Sequence, residues 1–316
     1  MNLSDAISNG SLGPELSNEI FGRVSERSVI ARAAKRTDMA ISGNTFLIDV
    51  GRAEASIVEE GQPKPVSNSA LGFVKAVPIK AAVISTWTKE FRLANPAAAL
   101  QRVQDKLVEA INDQIDYAVL YGKDVRLDTD IAGLTPLNDT TNRVTLGTAS
   151  AAEGGLYTDM LSGYDLVTDA GAYDFTSFVA DPRMRSTLAG AVDVNGRPIY
   201  SNGTNLGATS GDLFGLPVEY GRVVSGRAGN GKPDTGVRAF GGDFAGAMRF
   251  GFVDDISIKL SDSATVDGVS LWETNQEAAL CEAIFSFVIV DHDAFVAYEA
   301  AAAADPDPDP DPDPEV

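Results

Sequence analysis

Apolar residues recur at three- and four-residue steps between residues 96 and 122, and no other feature constrains the fold as strongly. The positions are Leu100, Val103, Leu107, Ile111, Ile115, Ala118 and Val119. Asn95 can cap the segment, Pro96 suits a first helical turn, and Gly122 ends the pattern. The pattern predicts a helix of about 25 residues, which at ~1.5 Å per residue spans roughly 37 Å. We expect it to be the spine of an elongated domain.

The rest of the chain mixes helix and strand patterns, which indicates an α+β protein. The amino-terminal part predicts a helix over 15–35, with Ile20 and Val24 on its apolar face, and a strand through Phe46, Ile48 and Val50. Residues 52–75 are polar, and an apolar strand pattern covers 73–88. The middle predicts helices over 156–170 and 182–191 and strands over 175–180 and 216–224. Alternation at 256–260, a polar turn at 261–268 and apolar residues over 271–290 predict a long hairpin packed on the spine helix.

The charge balance of the chain indicates which kinds of partner it can bind. The chain has 45 acidic and 25 basic residues, a net charge of −20, and five Asp-Pro pairs between Asp305 and Pro314 predict an extended, unfolded tail. The body stays acidic without that tail, so specific nucleic-acid binding is not expected, although an acidic wall suits a container for DNA. We find no pattern for a membrane span or a secretory signal and expect the chain to stay where it is made.

The sequence motifs that could indicate ligand binding or catalysis are incomplete. Gly226–Lys232 has the spacing of a phosphate-binding loop, but Pro233 replaces the Ser or Thr that would hold magnesium. The acids at Asp124, Asp128 and Asp130, and the segment 193–196, lack full calcium-loop spacing and are expected to be solvated turns. The single cysteine and the single histidine, Cys281 and His292, are expected to be a buried apolar residue and a strand-end residue. No enzyme, cofactor or metal site is predicted.

Several segments, taken in order, resemble the major capsid proteins of tailed bacteriophages, whose Hong Kong-type fold is shared with bacterial encapsulins. They are 16–39, 53–73 with its Glu-Glu-Gly-Gln-Pro-Lys-Pro run, 83–93, 116–122, 131–134, 179–183, 196–199, 213–218, 240–244 and 279–298. Each motif is short, but their order and spacing are specific. The resemblance covers nearly all of the chain except the Asp-Pro tail.

The resemblance implies a division of the chain. Residues 1–44 would be an amino-terminal arm and 45–85 an extended loop hairpin. Residues 86–130 and 246–300 would form a peripheral domain with the spine helix, 131–245 an axial domain, and 301–316 the acidic tail.

It also implies a function. The chain would assemble with itself into hexamers and pentamers of an icosahedral virion shell around double-stranded DNA, in the host cytoplasm and without sequence-specific DNA binding or a membrane. A separate scaffolding protein is implied because the short amino-terminal region leaves no room for a fused one; a portal and decoration proteins are further partners. Contacts between subunits are expected from the arm, the loop and two tryptophans. The candidates are Ile20, Val24, Ile57, Val58, Glu59, Glu60, Pro63, Lys64, Pro65, Trp87 and Trp272.

Some members of this family join a loop lysine covalently to an asparagine of a neighbour. Lys64, Lys75 and Asn275 could be counterparts, but no crosslink is expected. Three other functions stay open: an encapsulin-like compartment shell, a nucleotide-binding enzyme that uses Gly226–Lys232, and an acidic calcium-dependent adhesin.

Overall fold

A computed structural model gives the fold. It describes residues 28–49, 56–59, 71–94, 96–169, 173–192, 210–229 and 232–301, with the single residues 62, 64, 66, 195 and 197. The helices are α1 (Val29–Ala33), α2 (Lys89–Ala94), α3 (Pro96–Tyr121), α4 (Leu156–Asp169) and α5 (Arg183–Ala189). Short 3-10 turns occupy Leu137–Asp139, Ala151–Glu153, Arg222–Ser225 and His292–Ala294.

The strands form two large sheets and two short pairs. They are β1 (Lys35–Arg36), β2 (Asn44–Asp49), β3 (Leu71–Ala76), β4 (Ile79–Thr88), β5 (Arg143–Leu146), β6 (Ser177–Ala180), β7 (Ser210–Leu213), β8 (Leu216–Tyr220), β9 (Val237–Gly242), β10 (Met248–Ser261), β11 (Thr265–Val266), β12 (Val269–Ser270), β13 (Gln276–Ile289) and β14 (Phe295–Ala300). The sheet orders are β1-β10-β13-β4 and β5-β14-β9-β6-β8-β7, and β2 pairs with β3 and β11 with β12.

The predicted spine helix and the predicted long hairpin are confirmed. Helix α3 ends at Tyr121, and β10 pairs antiparallel with β13 along their length, with irregular register between Phe252 and Ser257. Alternate residues of β13, from Ala279 to Phe285, point to the inner face of the four-stranded sheet and share one core with Leu107, Ile111 and Ile115 of α3. The sheet buries its inner face because the helix supplies a matching apolar stripe.

Several predicted boundaries are wrong. The strand pattern over 73–88 divides into β3, which ends at Ala76, and β4, which begins at Ile79. The strand over 216–224 ends at Tyr220, where Gly221 turns the chain into the 3-10 turn. The helix predicted over 15–35 is interrupted at Ser28, whose backbone is extended, and α1 ends at Ala33, because Ala34 is extended and Lys35 pairs with Arg249 of β10. The segment 271–290 begins with a turn, and β13 starts only at Gln276. Residues 15–27, Val50 and the Asp-Pro tail lie outside the described residues.

The six-stranded sheet forms the second lobe. Helices α4 and α5 cover one of its faces, where Met160 and Met184 join Phe178 and Tyr298 in a separate core. Gly163 of α4 allows the close approach of the Tyr298 ring, since a Cβ there would lie 2.4 Å from the Tyr298 Oη. The sheet takes β14 from the end of the chain, so the lobe combines residues 143–242 with 295–300. The predicted division into domains stays a prediction.

Helix α1 lies where the two lobes and the spine helix meet. Its residues contact α3, the strands β6 and β8 of one sheet and β10 of the other. Ile30 is fully buried, and Val29 packs on Gly221, where a Cβ would meet the Val29 side chain at 2.1 Å. The short helix therefore acts as a wedge between the lobes.

A buried carboxylate on the spine helix fixes that wedge. Asp116 accepts hydrogen bonds from the Ser28 Oγ at 2.7 Å, the Val29 amide at 3.0 Å and the Ile30 amide at 3.2 Å. Burial raises the pKa of Asp116 to about 6, because desolvation outweighs these three donors. Asp116 thus satisfies amides at the start of α1 that would otherwise lack partners.

The raised pKa predicts a pH dependence of stability. The folded-state pKa of Asp116, about 6, exceeds the ordinary value of 3.8. The stability that Asp116 contributes is therefore fully present below pH 3.8 and is lost as the pH rises through about 6. Relative to Asp116→Asn, the free energy of unfolding of the unsubstituted chain should fall by about 3 kcal/mol over that range. Urea unfolding at several pH values measures it. Asp165→Asn, at an exposed position of α4, is the control, and a difference that does not change with pH would contradict the assignment.

Candidate assembly surfaces

The hairpin of β2 and β3 has two apolar faces, and only one is covered. Phe46 lies opposite Val74, and both pack on a small core formed by Met39, Ala76 and Val288. Leu47 lies opposite Phe73 on the other face, where they are 58% and 72% exposed. A two-stranded hairpin is marginally stable in water by itself, and an exposed pair of large apolar side chains marks an interaction surface.

The base of this hairpin is held to the body by local geometry. Gly43 has a φ of 81°, and a Cβ there would lie 2.7 Å from the Ala76 carbonyl oxygen. The Ala40 amide donates to the Asn44 Oδ1 at 2.8 Å, and the Asn44 Nδ2 donates to the Asp38 carbonyl at 2.9 Å. The start of β2 therefore has a defined direction relative to the four-stranded sheet.

The segment beyond the strands carries most of the predicted contact residues. Ile57, Val58, Glu59 and Lys64 are exposed, Ile57 completely so. The Gln62 amide donates to the Glu59 carbonyl at 3.1 Å. The candidates Ile20, Val24, Glu60, Pro63 and Pro65 lie outside the described residues. The contact role of the whole set stays a prediction.

The two tryptophans occupy different environments. Trp87 of β4 is half-buried against the main core, and its Nε1 donates to the Glu277 Oε2 at 3.1 Å. Trp272 lies in a turn and not in a strand, and it is 76% exposed. Of the two, only Trp272 presents its ring to solvent and is available to a neighbouring molecule.

The turn that contains Trp272 is joined to helix α2. The Lys89 amide donates to the Asn275 carbonyl at 3.1 Å, and the Asn275 Nδ2 donates to the Glu90 Oε1 at 2.6 Å. Phe91 and Leu93 of α2 are also exposed. This end of the long hairpin therefore presents a second apolar surface.

The loop with phosphate-binding spacing has no phosphate-binding geometry in its described residues. Residues 232–235, after the last glycine, form no helix, so no row of free amides points toward the loop. Lys232 pairs with Asp128 at 2.8 Å and lies over the Tyr117 ring at 5.5 Å from its centroid. The lysine joins this loop to the segment after the spine helix.

The other reactive side chains are occupied or buried. Asp124 accepts from the amides of Arg126 and Leu127, which makes a local turn. Burial raises the pKa of the Cys281 thiol to about 11, so it stays protonated at neutral pH. His292 lies in a short 3-10 turn between β13 and β14, where a ring nitrogen lies 3.0 Å from the Pro136 carbonyl. Within the described part of the chain, no group of three or more His, Cys, Asp or Glu side chains could hold a metal ion.

Buried charge in the second lobe has a structural role. Asp181, fully buried, accepts from the side chains of Arg183, Ser225 and Arg227 at distances from 2.5 to 3.3 Å. Arg183 also pairs with Asp234. The network ties α5 to the loop after β8.

None of the helices among the described residues has the length and apolar character to cross a membrane.

Comparisons with known proteins agree with this architecture. The phage capsid family matches residues 11–300. The chain belongs to the phage capsid family. A probable major capsid protein, gp17, of Mycobacterium phage L5 is 28% identical over 304 residues, which cover 92% of this chain and 90% of that protein. The gp17 protein of Mycobacterium phage D29, with the same description, is 27% identical over 300 residues, covering 93% and 91%.

Solved structures give the same result. A chain from Gordonia phage Cozz is 31% identical and superposes with a TM-score of 0.76, over 88% of this chain and 87% of that one. A chain from Mycobacterium phage Ogopogo, 21% identical, has the same fold with a TM-score of 0.74, over 87% and 92%. The predicted Hong Kong-type α+β fold and the predicted capsid function are confirmed.

Two features were not predicted from the sequence, one on an assembly surface and one in the interior. The alternation in β2 places Phe46 and Ile48 on one face and gives no role to Leu47 on the other. A run of three apolar residues in a hairpin strand nevertheless indicates that both faces of the hairpin are covered by other residues or subunits. The pairing of Ser28 with Asp116 joins residues 88 positions apart, and no local pattern indicates it.

The ion pair of Lys232 with Asp128 predicts that this loop does not bind a nucleotide. We expect no saturable binding of ATP with magnesium by the intact chain, because Pro233 cannot hold the metal and residues 232–235 form no helix. Fluorescence titration with a labelled ATP analogue measures it, and Lys232→Ala is the matched variant. Saturable binding that Lys232→Ala abolishes would reverse the conclusion.

Proposed function

We propose that many copies of this chain build the hexamers and pentamers of an icosahedral shell that encloses the double-stranded DNA of a tailed phage. The hairpin of β2 and β3 lies across the neighbouring subunit in that shell. The exposed pair of Leu47 and Phe73 is the observation that carries the proposal, because a hairpin with this outer face needs a partner.

The energetics favour a repeated contact. Full burial of a large apolar side chain is worth about 2 kcal/mol, so the two side chains together make a contact that is weak as a single event. Symmetry repeats that contact around each ring, and a closed shell repeats it again. Modest contacts of this kind add up to a stable particle and still permit subunits to rearrange during assembly.

The two lobes have separate tasks in this proposal. The spine helix with the four-stranded sheet would form the peripheral domain, and the six-stranded sheet with α4 and α5 would lie around the ring axis. Assembly would take place in the host cytoplasm with a separate scaffolding protein and a portal, and decoration proteins are further candidates. The acidic balance of the chain, with 45 acids and 25 bases, limits adhesion to the enclosed DNA.

A compartment shell of the encapsulin type has the same fold. The phage origin of the similar proteins favours the virion over that alternative. A gene beside a terminase and a portal gene would agree with the virion, whereas a neighbouring gene for a cargo enzyme would favour the compartment.

The hairpin contact predicts the behaviour of a double variant. Leu47→Ser with Phe73→Ser should lower the assembled fraction at least about tenfold, because two apolar contacts are lost at every interface. The free energy of unfolding of the single subunit should change by less than about 1 kcal/mol, because both side chains are exposed there. Sedimentation velocity with electron microscopy measures assembly, and urea unfolding measures stability.

A matched control separates the hairpin from exposed apolar residues in general. Leu127→Ser with Val192→Ser removes two side chains that are also exposed but lie outside the hairpin. This control should assemble as the unsubstituted chain does. Normal assembly of the variant with Leu47→Ser and Phe73→Ser would contradict the proposed contact role of the hairpin.

A further inference from the structure

Three arginines of the second lobe, Arg183, Arg227 and Arg238, share two carboxylates, and we call them the arginine cluster. Arg183 and Arg227 both donate to the buried Asp181. Arg183 and Arg238 both pair with Asp234. Burial opposes the ionisation of these two carboxyls, but their hydrogen bonds outweigh it and hold the pKa of each below the ordinary value. Two negative charges therefore face three positive ones, and the cluster is cationic.

The arginine cluster keeps donors that can bind a further anion. Each guanidinium has five N–H groups, and the carboxylates of Asp181 and Asp234 accept from only some of them. The side chains of Arg183 and Arg227 are 38% exposed, and that of Arg238 is 20% exposed. A carboxylate that approaches from solvent can therefore bind to guanidinium groups of the cluster.

The acidic tail, residues 301–316, begins beside this cluster. The Ala300 amide, at the end of β14, donates to the Gly236 carbonyl at 2.8 Å. The Gly236 amide in turn donates to the Asp234 Oδ1 at 3.0 Å. Asp234 is the partner of Arg183 and Arg238. Two hydrogen bonds and one ion pair therefore connect the start of the tail to the arginine cluster.

The tail carries the complementary charge. Asp-Pro repeats from Asp305 to Pro314 and Glu315 follows, so the tail has six acidic residues and no basic one. Five residue steps lead from Ala300 to Asp305, about 15 Å in a polyproline-like chain. Aspartates then recur about 6 Å apart, and the prolines lower the entropy cost of binding. The phage capsid family matches residues 11–300, so the tail is an addition to the part of the chain that the family shares.

Other surfaces suit the tail less well. On the other side of β14, Arg143 of β5 is already paired with Glu299, so the start of the tail has a neutral side and a cationic side. Lys80 and Lys259 share the carboxylate of Glu282 and are more than half exposed. These lysines lie on the four-stranded sheet, whereas the tail begins in the six-stranded one. The arginine cluster is therefore the cationic surface that the tail meets first.

We propose that the acidic tail binds to the arginine cluster of its own subunit, where its aspartates accept from the donors that Asp181 and Asp234 leave. The bound tail covers the arginines and keeps the phosphate groups of nucleic acid away from them. Tethering raises the effective concentration of the tail to the order of millimolar, so ion pairs that are weak individually are sufficient. The contact lies within one subunit and does not depend on the proposed shell function.

Disulfide trapping measures this contact against a matched site. Asp307→Cys is combined either with Ser186→Cys, at an exposed position of α5 one turn from Arg183, or with Thr145→Cys, on β5 opposite Glu299. The natural thiol of the chain is buried. Under slow oxidation in low salt, we expect the pair with Ser186→Cys to link at least about fivefold faster than the pair with Thr145→Cys. The preference should fall below about twofold in about 1 M salt, and also when the other tail aspartates are changed to Asn.

The outcomes of the trapping are distinct. Equal rates for the two pairs would overturn the proposal, as would a preference that salt and tail neutralisation leave unchanged. Links that join two subunits would also overturn it, and gel electrophoresis without a reductant separates them by mass from links within one chain.

Access of nucleic acid to the arginine cluster gives an independent test. Changing all the tail aspartates to Asn should raise the affinity for a labelled DNA strand of about 20 nucleotides at least about tenfold in about 50 mM salt, because the cluster is then uncovered. In that background Arg227→Gln and Arg238→Gln should each remove most of the gain. Lys106→Gln, on the exposed side of the spine helix, removes an equal charge and should change the affinity less than about twofold. An affinity that tail neutralisation leaves unchanged, or equal effects of all three Gln variants, would contradict the proposal.

Discussion

The packing of helix α3 on the inner face of the four-stranded sheet is the contact on which the rest of the structure depends. It buries every second residue of β13 and thereby directs the intervening residues to the opposite face. That opposite face receives the hairpin base at one end and is open at the other. The surfaces available for assembly are therefore a direct consequence of how the spine helix uses its apolar stripe.

Buried polar groups in this protein connect elements. Asp116 links the spine helix to α1 through three donors, and Asp181 links α5 to the loop after β8. Both carboxylates are buried and accept hydrogen bonds from groups of their own chain. A raised pKa usually suggests chemistry, but at Asp116 its cause is burial beside a helix start. Asp116 therefore holds α1 in place between the two lobes, and Asp181 joins two elements within the second lobe.

Regular elements with strong periodicity could be predicted from the sequence. The spine helix follows from seven apolar positions, and the long hairpin follows from alternation on either side of a polar turn. Helix α1 could not be delimited, because its end depends on pairing of Lys35 with a strand over 200 residues away in the chain. The ion pairs of Glu282 with Lys80 and Lys259 likewise could not be predicted, since β4 must first lie beside the long hairpin, which is distant in the sequence. Local patterns encode the elements, whereas the assembly surfaces arise from their long-range packing.

The proposed function requires that copies of this chain close into shells. Electron microscopy of the purified, unsubstituted chain, combined with its sedimentation, shows whether it does. We expect uniform closed particles, or rings of five and six subunits, as the dominant species under assembly conditions. A stable monomer under all assembly conditions, with or without the products of neighbouring genes, would contradict it.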